Sequence, residues 1–128
     1  TMYVPYNPNP CGLSTGDCTV RAISKALNIS WDDAHDILSE FAKNMCDMAH
    51  KDWVWGAVLR ANGFHRVIVP DTTPIDYSAA DFAEDNPRGT YVLGFGGHCC
   101  TVVNGDIYDS WDSSNEKPVY VWFKEEKR

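Results

Sequence analysis

Apolar residues in this chain follow two different periods. From Asp17 to Asn62 they recur every three or four positions, and from Arg66 onward they gather in short β-branched or alternating runs. Val20, Ala22, Ile23, Ala26 and Leu27 give a first helix its apolar face, and Asn28 closes it. Ser30 has the chemistry of an N-cap, with Asp33 three residues on as a shorter form of the usual Glu. Ala34, Ile37, Leu38, Phe41 and Ala42 then line one face of a second helix. A third is expected over Asp52–Asn62, with Trp53, Ala57, Val58 and Ala61 inward and Gly63 as its stop.

Beyond Gly63 the pattern is that of strands. Arg66 to Val69 reads as a short one ended by Pro70, and Ser78 caps a helical turn through Phe82 that stops before Pro87. Thr90–Phe95, His98–Val103, Asp106–Trp111 and Pro118–Phe123 complete the set. Ahead of the first helix, the two Asn-Pro steps in Tyr6–Gly12 are turn chemistry. The expectation is one α+β domain over residues 1–128, N-terminal helices packed on a C-terminal antiparallel sheet.

Asn104-Gly105 is a type I′ hairpin signal, because that turn needs positive φ at both central positions. With those two as the turn, Val103 faces Asp106, Cys100 faces Asp109 and His98 faces Trp111. His98, Cys100 and Val102 then share a face with Ile107, Asp109 and Trp111. His98 and Asp109 become diagonal neighbours, roughly 7–8 Å apart at the backbone and within side-chain reach. A slip of one residue in register would separate them.

Cys18 stands where the loop Ser14-Thr15-Gly16-Asp17 gives way to the first helix. A thiol is nucleophilic as thiolate, with a free pKa of about 8.5, and a helix N-terminus favours that form. An imidazole in reach can hold the proton and return it to a leaving amine, while a carboxylate orients the ring. These roles fall to Cys18, His98 and Asp109. The Cys18 N–H is a natural oxyanion donor, with a side-chain amide from Asn7 or Asn9 as the candidate second one.

The order Cys18, His98, then Asp109-Ser110-Trp111 resembles the papain-like cysteine peptidases, which carry Asn-Ser-Trp at the last motif. The resemblance implies a papain-like fold and a shield by Trp111 over the His98–Asp109 hydrogen bond. Gly16-Asp17-Cys18-Thr19-Val20-Arg21-Ala22-Ile23-Ser24 is similar to the nucleophile motif of ovarian-tumour-type deubiquitinases, a branch of the same fold. Two departures stand out. The Cys-Gly-Ser-Cys-Trp signature is missing, and Gly12 occupies the place of the family's oxyanion glutamine. In size the chain resembles the compact peptidase-like proteins of bacteria and their phages.

Bulk composition narrows the alternatives. With 11 basic and 18 acidic residues the formal charge is −7, which argues against a nucleic-acid surface. No apolar run approaches the ~20 residues of a membrane span, and no export pattern opens the chain, so a cytoplasmic location is expected. Five cysteines are an odd number, which suits free thiols in a reducing compartment. A zinc shell from Cys11, Cys18, His98, Cys99 and Cys100 is disfavoured, because Cys99 and Cys100 alternate across a strand and no C-x₂-C spacing is present. No metal or cofactor is expected. Cys100 reads as packing or site lining. His35, His50 and His65 read as solvated, as does the tail Lys124–Arg128.

The sequence thus predicts a cysteine peptidase or isopeptidase acting on a peptide or protein through a thioester acyl-enzyme. Deamidation or transpeptidation on the same site is one alternative. A catalytically silent binding or inhibitory module is the other.

Overall fold

A computed structural model of the chain describes residues 2–124, and the tail beyond Lys124 lies outside them. The described residues form β1 (Met2–Pro5), α1 (Cys18–Leu27), α2 (Trp31–Asn44), α3 (Asp52–Ala61), β2 (Phe64–Ile68), α4 (Ala79–Asp85), β3 (Thr90–Phe95), β4 (His98–Val103), β5 (Asp106–Asp109) and β6 (Tyr120–Lys124). The class is α+β. The strands make one sheet in the order β1-β5-β4-β3-β6-β2.

That sheet is mixed, which corrects the antiparallel expectation. β1 runs parallel to β5, with Met2 opposite Asp106 and Pro5 opposite Asp109, while every other pair is antiparallel. Four residues ending in proline carry too short a pattern to announce a strand, and their pairing partner lies a hundred positions away. The N-terminal segment therefore closes the sheet edge beside the hairpin.

Helices cover both faces. On one side α1, α2 and α3 bury Val20, Ile23, Ala34, Leu38, Val58 and Leu59 against Val92, Cys99 and Trp122. On the other, α4 sets Ala79, Phe82 and Ala83 over Leu93, Cys100, Val102, Ile107 and Val121. Alternation along β4 explains the split: Cys99 faces the three-helix layer and Cys100 faces α4. The α1 layer is also tied down by the buried Thr101, whose Oγ1 donates to the Ala22 carbonyl at 2.8 Å.

The first two helices follow the predicted logic. Asn28 closes α1 in the left-handed region with φ 55°, and the Ser30 side chain accepts the Asp33 N–H at the start of α2. In α4, Ser78 and Asp81 exchange both bonds of a capping box. The inward face of α3 differs from expectation: Val54, Trp55, Val58 and Leu59 are buried, whereas Trp53 is 55% exposed. Both sets satisfy helical spacing, and the one with the larger apolar volume turns in. Trp53 instead donates its indole N–H to Asp47.

Candidate active site

The hairpin holds the register that its turn dictates. Asn104 and Gly105 have φ of 49° and 81°, and Val103, Val102 and Thr101 pair with Asp106, Ile107 and Tyr108. β5 ends at Asp109, two residues earlier than expected, because the carboxylate turns back to accept the Ser110 N–H at 2.8 Å. His98 and Asp109 meet as that register requires: His98 Nε2 lies 2.7 Å from Asp109 Oδ2. With Nε2 so engaged, Nδ1 is the ring nitrogen left for a second partner.

Cys18, the first residue of α1, lies within hydrogen-bonding reach of His98 and of the Cys99 thiol. The three predicted residues therefore come together. Cys18, Cys99 and His98 line an open cleft of about 650 Å³, walled by Trp55, Phe95 and Trp111 and by the Ser14-Thr15-Gly16 loop. His98 stands between two aromatic rings, with centroids 4.7 Å away at Trp111 and 5.9 Å away at Phe95. Trp111, expected to shield the His98–Asp109 bond, lies against the His98 ring and is itself half-exposed.

Electrostatics poise the pair as ions. The Cys18 thiol is lowered to about 4, chiefly by the Cys99 hydrogen bond and then, against the opposing cost of burial, by the bond and charge of His98. Burial alone works to lower His98, yet its bonds to Asp109 and Cys18 and their charges raise it to about 9. Cys99 is pushed well up by its bond to Cys18 and by burial, so it stays a neutral S–H donor toward its neighbour. Helix α1 adds to the effect. Asp17, its N-cap residue, makes no side-chain cap, so the first-turn N–H groups keep their partial positive charge toward the thiolate.

The carboxylate of Asp17 is used elsewhere, in a buried network that sequence reasoning missed. Arg21 Nη1 donates to Asp17 Oδ1 at 2.8 Å and Trp31 Nε1 donates to Oδ2 at 2.9 Å. On its other side Arg21 Nη2 lies 3.3 Å from Asp109 Oδ1. Ser113 Oγ donates to Asp109 Oδ2 at 2.6 Å. β1 holds the backbone of the same residue, since the Asp109 carbonyl accepts the Tyr6 N–H at 2.7 Å and the Tyr3 hydroxyl at 3.2 Å. Asp109 is 0% exposed, and these contacts satisfy both of its carboxylate oxygens. Burial opposes its ionisation, yet the bonds from His98 and Ser113 win and hold its pKa below the usual value. The i,i+4 spacing of Asp17 and Arg21 was the one available signal for this network.

Asn7 and Asn9 are not brought to the cleft. The Asn7 amide donates to the Leu13 carbonyl at 3.2 Å, and Asn9 Oδ1 accepts the Cys11 N–H at 2.9 Å. Both side chains fold the Pro-rich loop on itself, as Asx chemistry favours. No asparagine or glutamine lines the cleft among the described residues, and the chain contains no glutamine. The hydroxyl-bearing residues that line the cleft are Ser14, Thr15, Thr19 and Ser110. Cys100 is packing under α4; Cys99 is the thiol at the site. His50, read as solvated, is exposed but stands on the cleft rim.

Among the described residues no cluster of three or more His, Cys, Asp or Glu side chains is arranged to hold a metal ion, and no helix is long and apolar enough to cross a membrane. Comparison with protein-family models, curated proteins and solved structures yields no match. The reading of function therefore rests on the geometry of the chain itself.

Proposed function

We propose that this chain is a papain-like thiol hydrolase cleaving peptide or isopeptide bonds through a Cys18 acyl-enzyme. The observation that carries the reading is that Cys18 and His98 line one open cleft while the buried Asp109 bonds His98 from behind. Cys18 as thiolate adds to the scissile carbonyl carbon, and the developing oxyanion is met by the Cys18 N–H at the uncapped end of α1. His98, carrying its proton on the side facing Cys18, passes it to the leaving amine as the C–N bond breaks. Water then attacks the thioester, His98 takes its proton, and the acid product leaves with Cys18 restored as thiolate. Asp109 keeps the ring oriented and its imidazolium charge balanced. Arg21, bridging Asp17 and Asp109, holds that carboxylate in place.

Two features of the site support this reading over mere packing. A cysteine kept for volume alone has no need of an imidazole–carboxylate pair beside it, and a buried carboxylate with four donors is costly to assemble without a use. Deamidation and transpeptidation need the same thiolate and differ in the amide or acceptor. The absence of a side-chain amide in the cleft favours one other reading, a silent module that keeps the fold and binds without turnover.

Acid-quenched mass spectrometry during incubation with a mixture of short peptides and isopeptides tests the proposal. A thioester adduct on Cys18, absent in Cys18→Ala, together with product release, is the expected result. Stoichiometric capture by both proteins with no product would overturn it in favour of the binding module.

A further inference from the structure

Of the charged groups in the cleft, Arg21 is already matched by Asp17 and Asp109, and the thiolate by His98. Asp52 is the charged wall residue left over. It is the first residue of α3, exposed, and paired with no lysine or arginine among the described residues. Its carboxylate is nonetheless fixed. Trp55 Nε1 donates to Oδ1 at 3.3 Å. A carboxylate held by an indole donor, in a cleft that Cys18 also lines, has part of its ordering cost met before any ligand arrives.

The walls suit a long cationic side chain. Trp111, 45% exposed, offers an apolar surface to a methylene stem and an aromatic face to a cation. The chain's charge of −7 adds long-range attraction for a basic substrate. As a bare first-turn carboxylate, Asp52 would also favour the helix dipole, but that role does not need the Trp55 indole.

We infer that Asp52 is the specificity residue of the cleft and selects substrates carrying a lysine or arginine side chain close to the scissile amide. The inference rests on the hydrolase reading. An ion pair at a partly open site, against low-dielectric walls, gives a preference of roughly fivefold to tenfold over a neutral side chain of equal length.

The test uses two peptidyl vinyl sulfones that differ only in a lysine or a norleucine side chain. Their second-order rates of Cys18 modification are followed by mass spectrometry in wild type and Asp52→Asn, which keeps an oxygen for Trp55 Nε1. The lysine probe reacts faster with wild type, its lead shrinks in 1 M salt, and the lead disappears in Asp52→Asn. If both probes label Cys18 rapidly at equal rates, or the variant keeps the preference, Asp52 does not select and the hydrolase reading is untouched. If neither probe labels Cys18 in preference to Cys11 and Cys46, the hydrolase reading fails and this inference fails with it.

Discussion

The ionic state of Cys18 gives a rate profile that an ordinary thiol cannot imitate. With its pKa lowered from 9.0 to about 4, Cys18 is thiolate across pH 5 to 8, so its alkylation by iodoacetamide should be flat over that range. A small competing thiol of ordinary pKa is ionised to about one part in ten thousand at pH 5 and about one part in ten at pH 8. Its rate therefore climbs about tenfold with each pH step. Thiolate fraction is not the whole account, because a less basic thiolate is a weaker nucleophile. A Brønsted coefficient of about 0.4–0.5 costs Cys18 roughly 100- to 300-fold in intrinsic reactivity.

Combining the two effects predicts a crossover. At pH 5 Cys18 should outpace the competitor by roughly 30- to 100-fold, and at pH 8 it should lag by roughly 10- to 30-fold. The curves meet near pH ~6.5–7. The assay is competitive labelling with limiting reagent, each cysteine quantified by peptide mass spectrometry, beside His98→Ala and Cys99→Ala. Removing either neighbour takes away a hydrogen bond to the thiolate, so the plateau should give way to a rising slope within the same range. A wild-type Cys18 rate that climbs tenfold per pH step from pH 5 would refute the thiolate–imidazolium pair. So would a plateau that survives in both variants.

Two further outcomes follow from the same contacts. The kcat/KM profile for any amide substrate should be a bell with limbs near about 4, where Cys18 gains its proton, and about 9, where His98 loses its own. In Asp109→Asn the raising influence on His98 is lost, so a stopped assay should show the alkaline limb moving to lower pH while the acid limb moves less. Arg21 is 5% exposed between Asp17 and Asp109, and Arg21→Met should cost about 3–5 kcal/mol in urea denaturation by leaving the buried Asp17 without its cation and Asp109 with His98 alone. A loss under about 1 kcal/mol would mean that the network behaves as a solvated surface pair.

What the sequence disclosed about this site divides by distance along the chain. The His98–Asp109 pair was legible because eleven residues and one turn type determine it: Asn104-Gly105 sets the register, and alternation does the rest. Cys18 was legible through its place at a helix start and the company of Asp109-Ser110-Trp111. Arg21 was not, although it lies in the same helix. Its partners become its neighbours only when α1 is laid across the end of β5, and a helix pattern records which face is apolar without recording what that face covers. β1 was hidden for the same reason, since its four residues gain their meaning from a strand a hundred positions on.

The reading of Cys100 as packing or site lining shows what a correct local rule leaves undecided, and packing is the outcome. Parity rightly placed Cys100 on the face of Asp109 and Cys99 on the opposite one. What parity does not contain is which face carries α1. The three-helix layer lies on the Cys99 face, so the thiol beside Cys18 is Cys99, while His98 reaches Cys18 from the open end of the sheet. Placing the acid–base pair at a strand end has a physical merit. Groups at the sheet's rim can meet a side chain arriving from either layer, whereas a pair in mid-strand is confined to one face. The cleft lies at that rim, where α1 brings Cys18, the hairpin brings His98, and the N-terminal segment clamps the Asp109 backbone.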